Sequence, residues 1–224
     1  MGKMNDLAIE MRFGIPAFRF VLPPGWVEHA PTNAAQEGDV AHASELFKRA
    51  NRPDLDAEFR TLMAQANQAM ARTKVFAIYR QQDVGLDELM PMSITASALS
   101  GVNGASLDAW VAEAFRSKGA QFLDEDSPHI VRWRSEPAVP TGARRIEGVG
   151  GRTLTYVIPV PGTQRRKALV FTTTIVIPDD GGLREEVVDS LEILSDAMIS
   201  TFVWESELPE LVQPPAEALP DDVI

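Results

Sequence analysis

The 224-residue sequence predicts an α/β fold of the α+β type: an α/β/α sandwich with a central, mainly antiparallel sheet. Several runs alternate apolar and polar residues with the two-residue period of a β-strand. Other segments repeat apolar residues at intervals of three and four, which is the period of a helix that packs on one side. Short turns containing Pro and Gly separate the later strand-like runs, as they do in an antiparallel meander.

Residues 18–26, FRFVLPPGW, are predicted to form the first strand of the sheet and its end. The two phenylalanines lie two positions apart, so both face the same side of a strand. Pro23, Pro24 and Gly25 then stop the strand, because proline cannot donate a ladder hydrogen bond and glycine favours a turn. We expect Trp26, the next residue, to pack on the core.

A helical insertion is predicted at about residues 39–73, where apolar side chains follow the helical period after Pro53. Two strands are predicted after it, at residues 74–81 and 90–99. A short acidic connection separates these two strands.

Two more helices are predicted further along the chain. The first covers residues 106–118, with Ser106 as its N-cap and Gly119 as the residue that ends it. The second covers residues 183–204 and is expected to pack on the sheet. Its predicted apolar stripe consists of Val187, Leu191, Leu194, Met198 and Phe202.

Three strands of a meander are predicted at residues 130–137, 144–160 and 166–178. The last of them carries apolar or threonine side chains on both of its faces. This composition is typical of an interior strand that is covered on both sides.

The chain is predicted to contain a single domain at residues 1–204, followed by an acidic, proline-rich tail at 205–224. The tail has six acids, four prolines and no basic residue. Such a segment cannot bury enough apolar surface to fold, so we expect it to be flexible.

Composition restricts the possible function classes. The sequence contains no cysteine, which excludes disulfides, thiolate nucleophiles and cysteine-ligated metals. A net charge of −11 argues against general nucleic-acid binding, because a polyanion would be repelled. No apolar run has the length of a signal peptide or a membrane span, so we expect a cytoplasmic protein without a membrane partner.

Candidate catalytic residues are few, and we expect no cofactor, no metal and no enzymatic activity. His29, His42 and His129 are scattered, and no HExxH pattern is present. The stretch GVGGRT at residues 148–153 leads into a strand, whereas a phosphate-binding loop opens a helix. No GxSxG pattern of a serine hydrolase occurs.

Residues 132–167 carry eight basic residues and two acids, although the chain as a whole is acidic. Antiparallel pairing is expected to bring several of these cations to one end of the sheet. They are interpreted either as charges that protect sheet edges or as a docking face for an acidic protein partner or anion, the chain's own tail included. The candidate binding residues are Arg132, Arg134, Arg144, Arg145, Arg165, Arg166 and Lys167.

The order of elements, from LPPGW at residues 22–26 to DAMISTF at 196–202, resembles the Mog1/PsbP-like superfamily. The resemblance covers about residues 13–204, and the segment at 39–73 is longer than a minimal member needs. It implies the sandwich fold. It also implies a binding or assembly role, such as binding a small GTPase or assembling a photosystem, with no shared active site.

Two classes of function therefore remain open. The first is a noncatalytic protein-binding or assembly module with the basic residues as its docking surface. The second is a small-ligand-binding protein or an undescribed hydrolase, with a pocket between sheet and helices near His42 or His129. In a variant of the first hypothesis, the acidic tail covers the basic face and inhibits binding.

Overall fold

In a computed structural model, the chain forms a sandwich built on a seven-stranded antiparallel sheet. The structure describes residues 2–31, 44, 60–61, 64, 70, 72–82, 90–125, 129–135, 149–178 and 183–207. Most of the predicted insertion at 39–73 lies outside the described residues. His42, Arg144, Arg145 and residues 208–224 lie outside them as well.

The described residues form nine strands. They are β1 (Phe18–Arg19), β2 (Trp26–His29), β3 (Val75–Gln81), β4 (Met92–Ser100), β5 (Gln121–Phe122), β6 (Val131–Ser135), β7 (Val149–Pro159), β8 (Lys167–Pro178) and β9 (Val203–Trp204). The main sheet has the order β2-β3-β4-β8-β7-β6-β5, and all of its neighbours are antiparallel. The predicted pair at 74–81 and 90–99 and the predicted meander are both confirmed.

Strand β8 lies in the interior of the sheet, between β4 and β7, as its composition predicts. Leu169, Phe171 and Ile175 are fully buried on one face, where they belong to the larger apolar cluster. Ala168 and Val170 point to the other face and belong to a smaller cluster. On the second face only the first part of the strand is buried, because Thr172 and Thr174 are partly buried and Val176 is 43% exposed, so the predicted cover on both sides holds only for that part.

The first face of the sheet is covered by a helix at Glu185–Ser200, which is called α3. The helix ends four residues earlier than predicted, and the chain then turns at Thr201 and forms β9. Its buried side is also rotated relative to the predicted stripe, because Val187 and Leu194 are only partly buried. The buried residues are Val188, Leu191, Glu192, Ser195, Met198 and Ile199.

The second face of the sheet is covered at one end by α2, the helix Asp108–Ser117. Leu107, which directly precedes α2, and Ala114 of α2 pack with Val131, Trp133 and Val157 in the smaller cluster. The sequence predicted a helix at 106–118, and the structure shortens it slightly. Gly119 follows it with a left-handed φ of 63°, which confirms its predicted role at the C-terminal end.

The N-terminal part of the chain differs from prediction. Residues Gly2–Phe13 form helix α1, which the sequence did not predict. Strand β1 pairs with β9 in a separate two-stranded sheet, so the prediction that residues 18–26 begin with the first strand of the main sheet is wrong. The reason is aromatic packing: Phe18 lies over the first face with ring centroids 5.7 Å from Phe171 and 5.5 Å from Phe202.

Trp26 opens β2, an edge strand of the main sheet, and is 5% exposed, so its predicted packing on the core is confirmed. Gly25 precedes it with a left-handed φ of 81°, as expected for the turn after Pro24. None of the helices in the described part of the chain is long and apolar enough to cross a membrane.

Candidate functional site

The basic residues of the 132–167 segment separate into two groups in the structure. Arg132 and Arg134 lie on β6, opposite Tyr156 and Leu154 of β7, and so face the same side of the sheet as α3. Arg165 and Arg166 lie in the connection between β7 and β8, and Lys167 is the first residue of β8. The described members of the predicted docking set therefore lie in two separate places on the sheet.

The first group forms a buried ion cluster around Glu192 of α3, which is 3% exposed. We call Arg132, Arg134, Arg152, Glu192 and Asp196 the Glu192 cluster. Glu192 accepts hydrogen bonds from Arg134 Nη2 at 2.6 Å, Arg152 Nη1 at 2.8 Å and Arg132 Nη2 at 3.2 Å. Arg132 Nε also donates to Asp196 Oδ1 at 3.0 Å. One carboxylate thus joins three arginines from two strands to the helix.

Glu192 and Arg132 of this cluster are both held in their charged forms. Burial raises the pKa of the Glu192 carboxyl, but the hydrogen bonds and charges of Arg152 and Arg134 outweigh burial and hold that pKa below its usual value. Burial lowers the pKa of the Arg132 guanidinium, and the charges of Asp196 and Glu192 raise it by more. Paired charges satisfy the buried groups, which explains why a carboxylate is tolerated on the packed side of a helix.

A chain of hydroxyl groups continues the polar contact between α3 and the sheet. Tyr156 Oη donates to Asp196 Oδ1 at 2.7 Å and lies 2.8 Å from Ser195 Oγ, which in turn lies 2.7 Å from Thr173 Oγ1. Burial and then the charge of Asp196 raise the pKa of the Tyr156 hydroxyl, so it stays protonated at physiological pH. This chain and the Glu192 cluster fix the helix on the sheet.

The residues that complete the Glu192 cluster were missed by sequence reasoning, although the signal is present. Glu185, Asp189, Glu192 and Asp196 follow the helical period along one side of α3. Arg152 also reaches the first two of these acids, at 2.7 Å from Glu185 and 3.4 Å from Asp189. A row of acids at this spacing, together with arginines at alternate strand positions, indicates ion pairing across the helix–sheet contact.

The second group lies on a tight turn at residues 160–166. Gln164 and Arg165 both have left-handed φ angles, 51° and 57°, and the Arg165 carbonyl accepts a hydrogen bond of 2.8 Å from Leu107 N. The backbone of Arg165 is thereby fixed beside the first turn of α2. Its side chain is 71% exposed, and Nη1 lies 3.3 Å from Asp108 Oδ1. Exposed pairs at this distance are weak.

The two neighbours of Arg165 differ in their accessibility. Arg166 is exposed, and its Nη2 donates to Gln164 Oε1 at 2.8 Å. The Nζ of Lys167 lies so close to Gly14 that a Cβ there would collide with it. Gly14 directly follows α1, so the ammonium group lies at the negative end of that helix. Arg165 and Arg166 are consequently the exposed cations of the turn.

A pocket lies beside this turn, between α2 and the second face of the sheet, with a volume of about 380 Å³. The sequence placed a candidate pocket between sheet and helices near His42 or His129, and His129 lines this one. The apolar lining comes from Leu107, Val111, Phe115, Phe122, Val131, Val157, Pro159 and Ala168. The charged or titratable lining residues are Asp108, His129, Arg165 and Lys167.

Partly exposed aromatic side chains flank the pocket. Phe115 and Phe122 lie in its lining, with ring centroids 5.5 Å apart, and Phe122 is 53% exposed. Trp110 of α2 packs edge-on against Trp133 at 5.4 Å, and the Lys118 ammonium lies 5.4 Å from the Trp133 ring. The apolar side of α2 is therefore only half buried, because Trp110 and Phe115 both remain accessible.

The pocket offers binding groups but little catalytic chemistry. A hydrogen bond from Ser106 is the main factor that lowers the pKa of the Asp108 carboxyl, and Arg165 adds to it, so Asp108 is ionised and a poor proton donor. The described lining residues include no serine, threonine or cysteine. Within the described ranges, no three His, Cys, Asp or Glu side chains are grouped closely enough to hold a metal ion.

Solved structures of Mog1 and PsbP are similar to this chain. A Mog1 mutant is 12% identical, covers 57% of this chain and 78% of its own, and has a TM-score of 0.35. The Ran-binding protein Mog1p of Saccharomyces cerevisiae is 11% identical, with the same coverage and a TM-score of 0.36. Cyanobacterial PsbP from Synechocystis is 13% identical, covers 84% of this chain and 86% of its own, and has a TM-score of 0.31.

Mog1 and PsbP give their names to the superfamily that the order of elements in this sequence resembles. At TM-scores below 0.4 the likeness carries no argument about function, and the fold assignment rests on the sheet order given above. No protein-family model and no curated protein matches the sequence.

Proposed function

We propose that this protein is a noncatalytic protein-binding or assembly module, and that it docks its partner on one surface. We call this surface the turn face; it consists of Arg165, Arg166 and the pocket beside them with Phe115 and Phe122. The observation that carries the proposal is the exposed Arg165 in the lining of an apolar pocket with exposed aromatic walls, next to a second exposed arginine, Arg166, on the same turn.

The chemistry of the turn face is that of an interaction hot spot. Aromatic residues and arginine are enriched where binding energy concentrates, and an apolar centre with a charged rim is the usual arrangement. Because the chain as a whole is strongly acidic, exposed cations in one place give it a local attraction for an acidic partner. We place this role in the cytoplasm, as the sequence predicts.

The proposal narrows the set of docking residues. Arg132 is largely buried and is bonded to Glu192 and Asp196. Arg134 is bonded to Glu192. We therefore assign both arginines to the attachment of α3 to the sheet. The Lys167 ammonium lies beside Gly14, although the residue also lines the pocket. Among the described candidates, Arg165 and Arg166 are the proposed contacts to the partner.

The double substitution Arg165→Ser with Arg166→Ser tests the proposal. Quantitative affinity capture on the tagged full chain, read by mass spectrometry, is expected to identify a partner that this variant loses at least tenfold, because two charge-assisted contacts are removed. The control is Arg12→Ser with Arg184→Ser, which removes two exposed cations outside the pocket lining. A capture profile that the two double variants change equally would contradict the proposal.

Small-ligand binding is the second candidate, because the pocket volume of about 380 Å³ lies in the range of known ligand sites. A hydrolase has less support, since the described lining lacks a hydroxyl or thiol nucleophile. Native mass spectrometry of the purified full chain distinguishes small-ligand binding from protein docking. A stoichiometric small molecule that the chain loses on Val111→Trp would favour the ligand-binding candidate over protein docking.

A further inference from the structure

We infer that the turn face recognises a short peptide segment of a partner protein in which an apolar side chain stands next to a carboxylate. The apolar side chain enters the pocket, and the carboxylate binds Arg165 where Asp108 now lies. This inference rests on the proposed function and adds the chemistry of the partner.

The pocket accounts for the apolar half of the ligand. Val131, Val157 and Ala168 of the sheet are buried at its base, while Phe115 and Phe122 form accessible walls. Its volume of about 380 Å³ holds one or two side chains and no folded element. Burying an apolar side chain there removes hydrocarbon of both molecules from water, which is the main source of affinity in such contacts.

Asp108 marks the place of the ligand carboxylate. Its Oδ1 lies 3.3 Å from Arg165 Nη1, with side chains 59% and 71% exposed, so the existing ion pair is weak and open to exchange. A guanidinium engages a carboxylate best through two parallel bonds, and the present single contact leaves that capacity unused. A ligand carboxylate that makes two bonds would therefore displace Asp108.

Asp108 also makes the site selective. The carboxyl stays ionised because a bond from Ser106, and then Arg165, lowers its pKa, so it opposes any acidic ligand that does not engage Arg165. The Arg165 backbone is fixed in place, because Leu107 N donates a hydrogen bond of 2.8 Å to its carbonyl oxygen. Among acidic ligands, Asp108 therefore favours those whose carboxylate engages Arg165 directly.

Charge complementarity identifies the occupant. Arg166 supplies a second exposed cation on the same turn, so residues that flank the bound carboxylate also favour acids. The chain's own residues 208–224 combine acids with Leu, Val and Ile, and the experiment must separate this segment from a partner's peptide.

Display of random peptides on phage, selected on the immobilised full chain, tests the inference. We expect enriched peptides with Asp or Glu within two positions of a large apolar residue. An enriched peptide, labelled for fluorescence anisotropy, should bind Arg165→Ser about tenfold more weakly than the parent chain and Asp108→Asn about threefold more tightly. The matched control Arg116→Ser, which removes a cation of α2 outside the lining, should leave binding unchanged.

Several outcomes would overturn the inference. Enrichment of basic or purely apolar peptides would do so, and so would a peptide affinity that does not rise in Asp108→Asn. An affinity that rises tenfold on deletion of residues 208–224 would assign the site to the chain's own segment. All variants substitute exposed positions, and equal melting temperatures would exclude misfolding as the cause.

The inference and the proposed function fail separately. If Arg165→Ser with Arg166→Ser abolishes capture of a protein while no peptide is enriched, the turn face binds a folded surface and the peptide mode is wrong. In the opposite case, peptides are enriched and bind Asp108→Asn more tightly, while Arg165→Ser with Arg166→Ser loses no captured cellular protein. The inferred peptide chemistry is then supported and the proposed assembly role is wrong.

Discussion

At the scale of single residues, Glu192 is a carboxylate enclosed between α3 and the sheet, where it is 3% exposed. An acid on a helix is expected to face solvent, because an isolated buried carboxylate is strongly unfavourable. In this fold three arginines surround it, and none of them is near it in sequence. The pairing depends on strand register, so the sequence indicates that acids and arginines are available but not which of them meet.

Replacing Glu192 by Gln tests the role of this charge through its pH dependence. The lowered pKa means that the folded chain binds fewer protons than the unfolded chain below the usual Glu pKa of about 4.3, so the stabilisation is complete above that pH and is lost as pH falls through the folded value. At pH 7 we expect Glu192→Gln to lower the free energy of unfolding by about 3 kcal/mol.

The measurement for Glu192 is urea unfolding of both chains between pH 2.5 and 7. The difference between them should shrink steadily as the pH falls below about 4.3. A difference that stays constant over this range would show that the substitution acts through packing and not through charge.

At the scale of elements, the orientation of α3 depends on polar contacts as much as on apolar ones. The sequence predicted the helix and its packing on the sheet, which hydrophobic periodicity determines well. It did not predict the rotation that buries Glu192 and Ser195 and leaves Leu194 partly exposed. Arg132, Arg134 and Arg152 select this rotation, and apolar periodicity cannot detect them.

Arg152→Met tests the orientation of α3, because Arg152 joins three of its acids to β7. Loss of the Glu192 bond should lower the free energy of unfolding by about 2–3 kcal/mol. The matched control Arg116→Met removes a surface pair within α2 and should have little effect. Chemical denaturation followed by circular dichroism gives both values, and equal losses would contradict a special role for Arg152.

At the scale of the whole molecule, one central strand unites two apolar layers. β8 places Phe171 in the larger cluster and Val170 in the smaller, so each face of the sheet depends on the same backbone. The sandwich was predictable because strand and helix periods agree with it along most of the chain. Helix α1 was not predictable from such periods, since its contribution to the core rests on a few residues near its end, Ile9 and Phe13.

Phe171→Ala tests the unity of the core. Phe171 is fully buried and meets the rings of Phe18, Phe20 and Phe202, so the substitution opens a cavity between three distant parts of the chain. We expect a loss of about 3–5 kcal/mol, with a single unfolding transition at lower temperature. Calorimetry provides the measurement. The control is Phe122→Ala, because the Phe122 side chain is half exposed. A comparable loss of stability in both variants would contradict the role assigned to Phe171.

The pairing of β1 with β9 has a consequence for the order of events during synthesis. Phe18 pairs with Trp204, which is distant from it in sequence, and the Phe18 ring packs there against Trp204, Phe171 and Phe202. Ribosomes release the chain from its N-terminus, so the aromatic segment emerges long before its partner exists. The part of the first face that Phe18 and Trp204 cover together therefore stays open until translation has passed Trp204, and the nascent chain exposes apolar surface throughout that interval.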